Sequence, residues 1–464
     1  MRDLTFDAAT PTAAHETAVA CLSAAVESVL PDRVVRDSVS LDGDVLSVSA
    51  ATYDLSAFDR LLVVGGGKAG DGVADALESV LGDRIDAGVV VTPDPGAGER
   101  IDRLPGAHPV PSREGVESAE RIVDLLGDAD ERTLVLAVVT GGASAVIPTP
   151  AEGIALEDLQ STTDALLRSG AHIGELNAVR KHLSTLKGGG LARLAAPATV
   201  AGLVLSDVVG NDLGVIASGP TAPDETTYDD ALSVLERYDL DVPASVRERL
   251  ERGARGELPE TPKPGDPAFD RVRNHVLADG HAALSAARET ARERGYDPIL
   301  LSSRVRGEAR EAAKTHVAVA EEAAAPGDPV DAPAVILTGG ECTVTVRGDG
   351  EGGPNLEYCV SAARELGTDA VVAALDSDGE DGGTDVAGAV VDAETAAGIE
   401  AGREAAAALA DNDALPFLRD RSALIRTGPT GTNVNDLRVA VVDGRERETE
   451  RETDERSDAD PRAE

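Results

Sequence analysis

The stretch Leu62-Val63-Val64-Gly65-Gly66-Gly67-Lys68-Ala69-Gly70 constrains this chain most. An apolar run that stops at glycines reads as a buried strand ending in a tight turn, and Asp71–Leu77 reads as the first turns of a helix. A turn without side chains can present backbone N–H groups at the positive end of a helix, a seat for phosphate or carboxylate. Gly65, Gly67 and Gly70 also have the spacing of a dinucleotide fingerprint. Lys68 fits that reading poorly, because a dinucleotide loop needs no cation, whereas a phosphoryl-transfer loop does. A Walker A loop is excluded, since Ala69 stands where Ser or Thr is required.

The same pattern recurs. Ala87–Val91 and Thr133–Val139 read as strands, the latter ending at Thr140-Gly141-Gly142-Ala143-Ser144, with Val116–Leu126 helical between them. Thr199–Leu205 is a strand ending at Ser206-Asp207. Strands alternating with helices and glycine turns mark a doubly wound parallel sheet, an α/β fold whose ligands gather at the carboxyl ends of the strands. Further expectations are a helix over Ala13–Leu30, a strand over Val45–Tyr53, a helix over Leu156–Leu167, and a basic helix over Leu176–Gly190. In the second half they are a glycine turn at Thr338–Glu341 followed by a strand over Cys342–Val346, a helix over Asn355–Glu365, and strands over Ala370–Leu375 and Leu437–Val442. Prolines 259, 262, 264 and 267 mark a linker.

Charge narrows the function. The 464 residues carry a formal net charge of −41, and aromatic residues make up 2% of the chain. Nucleic acid and anionic membrane are poor partners for such a surface, which also has few rings for stacking bases. Only five lysines occur among the 43 basic residues. Dense carboxylates with little lysine suit a cytoplasm of high salt, where the Debye length falls to about 3 Å and self-repulsion is screened. Each remaining lysine is therefore informative. Cys21, Cys342 and Cys359 have no metal-ligand spacing and read as buried thiols. The N-terminus does not read as a signal peptide, and no apolar run is long enough to span a membrane.

Several residues stand out as chemistry. Arg180, Lys181 and Lys187 could hold a carboxylate or phosphate. His108, in a rigid Pro-containing loop, could orient substrate. Asp207, at a strand end, is a candidate base or metal ligand. The loop Asp376–Asp385 carries five carboxylates but fails the EF-hand template at its sixth and twelfth positions; magnesium on one or two of them, Asp378 foremost, is the expectation. Ser144 lacks the Gly-x-Ser-x-Gly frame of a hydrolase nucleophile.

Val63–Ala69, Gly106–Pro111, Thr140–Ser144, Leu176–Gly190, Ser206–Thr221, Thr338–Glu341, Gly352–Glu357, Leu375–Gly382 and Thr427–Asp436 occur in the order found in class II glycerate 2-kinases, which this chain resembles over about residues 13 to 443. With its composition, a halophilic archaeal source is expected. The resemblance implies two α/β domains, a Rossmann-like one (1–255) and one containing a MOFRL domain (275–443), joined by the Pro-rich linker 256–274 and followed by a charged, disordered tail (444–464). It implies ATP-dependent phosphorylation of D-glycerate to 2-phosphoglycerate in the cleft between them, with a divalent metal, Mg2+ or another. The family's loop lysine maps onto Lys68.

On this reading Lys68, Asp207 and Arg180 are catalytic, and His108, Ser144 and Lys181 bind substrate. Gly65, Gly66, Gly67, Gly141, Gly142, Gly339, Gly340, Glu341, Asn355, Thr430 and Asn433 contact ATP, while Asp207 and Asp378 hold the metal. Many bacterial members have Arg where this chain has Pro354. Some relatives have been labelled hydroxypyruvate reductases, so an NAD(P)H-dependent reductase is the alternative. Expected partners are D-glycerate and ATP only, for a cytoplasmic monomer or homodimer.

Overall fold

The computed structural model describes residues 4–444. The expected charged tail therefore lies almost wholly outside the described residues. Two six-stranded sheets and a small three-stranded one carry the chain.

The first sheet is parallel throughout, in the order Ile101–Pro105, Ala87–Thr92, Arg60–Gly66, Thr133–Thr140, Thr199–Leu205, Val272–Ala278. The chain first builds outward from Arg60–Gly66, then returns to add Thr133–Thr140 on its other side. The switch point thus falls between those two central strands. The carboxyl ends flanking it are Gly67-Lys68 and Gly141–Ser144, where a doubly wound sheet opens its crevice. All eight residues of Thr133–Thr140 are buried, as expected of a strand covered on both faces.

The second sheet is mixed, in the order Asp297–Glu308, Ala334–Thr343, Asp436–Val442, Ala370–Asp376, Gly388–Asp392, Leu424–Ile425. The last long strand inserts at its centre, antiparallel to both neighbours, and pairs Asp436 with Gly340 on one side and with Asp376 on the other. The start of one strand and the ends of two others therefore place their acids together.

One aliphatic core runs through both halves, from Val63, Leu136 and Leu203 to Leu337, Val371 and Leu437. Each fully buried Leu or Val contributes about 1.5–3 kcal/mol. Helix Ala13–Ser28, with Thr12 accepting the His15 N–H as its N-cap, lies on the second sheet and on helix Gly280–Glu293. Strand Val272–Ala278 joins the first sheet. The domain boundaries expected at 255 and 274 are therefore crossed in both directions, because the apolar face of each element finds its partner in the other half.

Three local expectations change. Val45–Tyr53 is two strands, Val45–Val48 and Ala51–Asp54, turning at Ser49 with φ 51°. The basic helix is Ile173–His182 and ends early, because Leu183 and Thr185 exchange backbone hydrogen bonds with Ala151 and Thr149. Thr338–Glu341 is no turn: the strand Ala334–Thr343 runs straight through it. Among the described residues no helix is long and apolar enough to cross a membrane.

Candidate active site

The glycines before Lys68 serve strand packing. Gly65 and Gly66 lie within the strand at φ 122° and 148°, and a Cβ on either would stand 2.0 Å from the carbonyl oxygen of Val138 or Val91. The N–H groups that follow are already engaged. Gly67 donates to the Val91 carbonyl at 3.0 Å, Lys68 to Gly141 at 2.8 Å, Gly70 to Gly67 at 3.0 Å, and Ala69 to Thr140 Oγ1 at 3.3 Å. The expected contacts of Gly65, Gly66 and Gly67 with a cofactor through a backbone cradle are thus corrected. What the loop presents is the Lys68 side chain.

Lys68 crosses the cleft. Its Nζ lies 3.2 Å from Asp378 Oδ2 of the acidic loop in the second half, with Lys68 about one-third exposed. Glycines at the neighbouring strand end make room around it. A Cβ on Gly142 would press on His108 and Lys68, and one on Gly141 would lie 2.3 Å from Asp207 Oδ2. Gly141 and Gly142 thereby admit three functional side chains to one place. Burial, then the Lys68 charge, hold His108 below its ordinary pKa. Burial pushes the Asp207 carboxyl up, and Lys68 pulls it partly back.

Two more contacts tie the halves: Asn435 Nδ2 donates to the Asp207 carbonyl at 2.6 Å, and Arg306 Nη2 to the Val209 carbonyl at 3.4 Å. Beside them lies a cavity of about 350 Å³, lined in part by Ser206, Asn211, His281, Arg304, Gly340 and Asn435.

The acids of the second half are crowded. Burial raises Glu341, and the nearby Asp436 and Asp207 charges raise it further. Asp376 is raised well above the usual carboxylate range by burial and by Asp378 and Asp436. Asp381 is pushed up to about 7 by burial, though it accepts from the N–H groups of Asn355 (3.0 Å) and Leu356 (2.8 Å) at the start of helix Pro354–Glu365. Pro354 occupies the first helical position, where no N–H is needed.

Asn355 is fully buried and its Nδ2 donates to Asp436 (2.7 Å) and Asp381 (3.1 Å), so it braces the acids instead of contacting a cofactor. Gly339 and Gly340 lie in the strand, where a Cβ on Gly340 would stand 2.1 Å from the Val305 carbonyl oxygen; they permit close strand approach. Thr430 holds the acidic loop, donating from its N–H to the Asp378 carbonyl (3.0 Å) and from Oγ1 to the Ser377 carbonyl (2.7 Å). Asn433 Nδ2 reaches Asp378 Oδ2 at 3.4 Å. Among the described residues no three His, Cys, Asp or Glu side chains form a metal-binding group, so Asp207 and Asp378 do not build a protein-only cage.

Asp436 and its fully buried ion-pair partner Arg438 were not singled out by sequence reasoning. A usable signal existed: Arg438 interrupts the otherwise apolar run Leu437–Val442, and a charge inside a strand buried on both faces needs a partner.

The basic helix divides its cations. Lys181 is buried and paired with Asp224 at 3.0 Å, an acid that also accepts from Thr226 and Thr261; this corrects its expected role in substrate binding. Arg180 is largely buried and, among the described residues, pairs with no carboxylate; burial depresses its pKa. Lys187 is held at about 7 by burial and by Arg180, and among the described residues its Nζ has only the Ile147 carbonyl, at 3.3 Å, as partner. Ser144 Oγ lies 2.7 Å from Ser218 Oγ.

Comparison with known proteins gives the lineage of this site. Residues 17–251 match the model described as Domain of unknown function (DUF4147), and residues 334–436 match the MOFRL family. The chain is 37% identical to Glycerate 2-kinase of Pyrococcus horikoshii, over 92% of this chain and 97% of that protein. It is 40% identical to a Putative hydroxypyruvate reductase of Agrobacterium vitis, over 82% and 87%. The crystal structure of Glycerate kinase from Thermotoga maritima superposes with a TM-score of 0.81 at 37% identity, covering 92% of this chain and 99% of that one. The chain belongs to the glycerate kinase family.

Proposed function

We propose that this chain is a class II D-glycerate 2-kinase, transferring the γ-phosphoryl group of ATP to the 2-hydroxyl of D-glycerate between its two halves. The observation that carries this reading is the contact of Lys68 with Asp378 across the cleft. Phosphoryl transfer is catalysed mainly by positioning and charge neutralisation, with little covalent help. A cation projected from one half against acids of the other is the arrangement it needs.

Lys68 neutralises charge on the phosphoryl group in flight. Asp207, whose carboxyl burial pushes above the usual carboxylate range, accepts the proton of the substrate hydroxyl. His108, kept neutral beside Lys68, donates or accepts a hydrogen bond without adding charge. The polar cavity of about 350 Å³ next to Asp207 receives part of the nucleotide, with Arg304 at its wall.

The residues fit a magnesium–nucleotide complex better than a bare metal. Magnesium is commonly held by one or two carboxylates plus substrate phosphates. The mutual repulsion of Asp376, Asp378, Asp436, Glu341 and Asp207 is what a divalent cation relieves. Asp378 and Asp207 would hold it, and it would neutralise phosphate charge there.

The reductase name of one relative sets the competing outcome. With the N–H groups at 67–70 engaged, the loop lacks the free backbone donors of a pyrophosphate cradle. The test is two assays on one preparation in high salt: ADP release with ATP, magnesium and D-glycerate, and NAD(P)H oxidation with hydroxypyruvate. ADP release dependent on D-glycerate supports the kinase; NAD(P)H oxidation alone overturns it.

A further inference from the structure

Lys187 stands in a segment whose backbone is pinned on both sides. Its own N–H donates to Ser184 Oγ at 3.4 Å, the Leu186 N–H to Thr149 Oγ1 at 3.2 Å, and the Gly188 N–H to the Ser218 carbonyl at 2.9 Å. The residue so held is only 8% exposed and lines a cavity of about 30 Å³. Ile122, Val138, Val139, Ile147 and Leu191 line the same cavity, and among the described residues Lys187 is its only charged member. A space of that size has room for a molecule of a few heavy atoms, and its aliphatic walls favour an apolar one.

An amine in such a place is a nucleophile. Burial and the Arg180 charge hold it at about 7, so about half of it is neutral at that pH, against about one part in 3,000 for an ordinary lysine. Only the neutral form has a lone pair to share. The surroundings of Nζ leave that pair free: its one partner among the described residues, the Ile147 carbonyl at 3.3 Å, takes an N–H. Arg180, whose charge acts on this amine, pairs with no carboxylate among the described residues. The place therefore lacks one negative charge. An apolar molecule that becomes an anion on reacting with the amine would supply it, and carbon dioxide is such a molecule.

We propose that Lys187 is a carbamylation site: CO2 enters the apolar cavity, adds to Nζ, and the resulting carbamate sets its negative charge against Arg180. In this step the Nζ lone pair forms the N–C bond, one C=O π pair moves onto oxygen, and a proton leaves nitrogen for water. Lys–NH2 and CO2 thus give Lys–NH–COO⁻ and H⁺, and nothing is oxidised or reduced. The N–H that remains keeps the Ile147 carbonyl as its acceptor. A larger carbonyl compound, which would form an imine instead, exceeds the volume of the cavity. The modification is reversible, follows the supply of CO2 and is independent of the kinase reading.

The test uses the full chain in carbon-13-labelled bicarbonate at slightly alkaline pH. Carbon-13 NMR is expected to show a carbamate resonance beside those of bicarbonate and CO2. Trapping the carbamate as its ester with a trialkyloxonium salt, followed by peptide mass spectrometry, is expected to place it on Lys187. Lys187→Met loses the resonance. Arg180→Gln, which removes the opposing charge, lowers occupancy about tenfold or more, and Arg180→Lys, which keeps the charge, retains it.

A wild-type peptide map with no trapped carbamate on Lys187, or with one on the amino terminus alone, overturns the proposal, as does full occupancy in Arg180→Gln. The map is read on the wild-type chain, so it decides the matter even where a variant fails to fold.

Discussion

At the residue scale, the scarcity of lysine made Lys68 legible and left its partner hidden. The strand-to-helix position of Lys68 follows from local pattern, but Asp378 is 310 residues away in sequence and meets it only through the packing of two sheets. The two lysines of the basic helix region show the opposite limit. Sequence placed Lys181 and Lys187 in one cationic stretch, and only tertiary packing spends Lys181 on Asp224 and leaves Lys187 with a carbonyl.

Two outcomes follow at this scale. Lys68→Ala should lower kcat about 100-fold or more, the cost of removing a charge aimed at the transition state; steady-state kinetics that move only the glycerate KM would assign it to ground-state binding instead. For Lys187 the sign runs from its depressed pKa. Between about 7 and 10.5 the unfolded chain binds the extra proton and the folded one does not, so folding gains stability as pH rises through that window and bears the full burden below pH 7. Lys187→Met should therefore raise Tm at pH 7, and the gain should shrink towards pH 10. Thermal scans across that range with no change in the difference would show that Lys187 is charged in the folded protein.

At the element scale, glycine-rich segments were the most visible and the most ambiguous. A glycine that lets a backbone approach a phosphate and one that lets two strands approach each other have the same letter. At Gly65, Gly66 and Gly340 neighbouring backbone decides for strand packing, and at Gly141 and Gly142 neighbouring side chains decide for the site. The alternation of strands and glycine turns was readable because period and punctuation are local. The insertion of Asp436–Val442 at the centre of the second sheet was not, since strand order is a long-range choice.

Gly65→Ala should destabilise the fold by about 3 kcal/mol or more, combining a left-handed φ with backbone overlap. Gly127→Ala, at a helix end with no positive φ and open space around it, should change stability by only about 1 kcal/mol or less. Urea denaturation separates the two; equal costs would mean that the strands relax apart at little expense.

At the scale of the whole molecule, 84 acids face 43 bases on one chain. The excess repels itself, so the compact state should gain from screening. Tm is expected to climb from 0.1 to about 2 M KCl, and a flat or falling profile would remove the high-salt reading. The same surface surrounds a cleft whose walls come from opposite ends of the chain, with a shared core beneath it.

The central claim is phosphoryl transfer to the 2-hydroxyl in that cleft. Its most direct test is NMR of the product formed from ATP, magnesium and D-glycerate, where the phosphorus–proton couplings identify the carbon that carries the phosphate. The account predicts 2-phosphoglycerate with stoichiometric ADP; 3-phosphoglycerate, or ADP with inorganic phosphate alone, would contradict it.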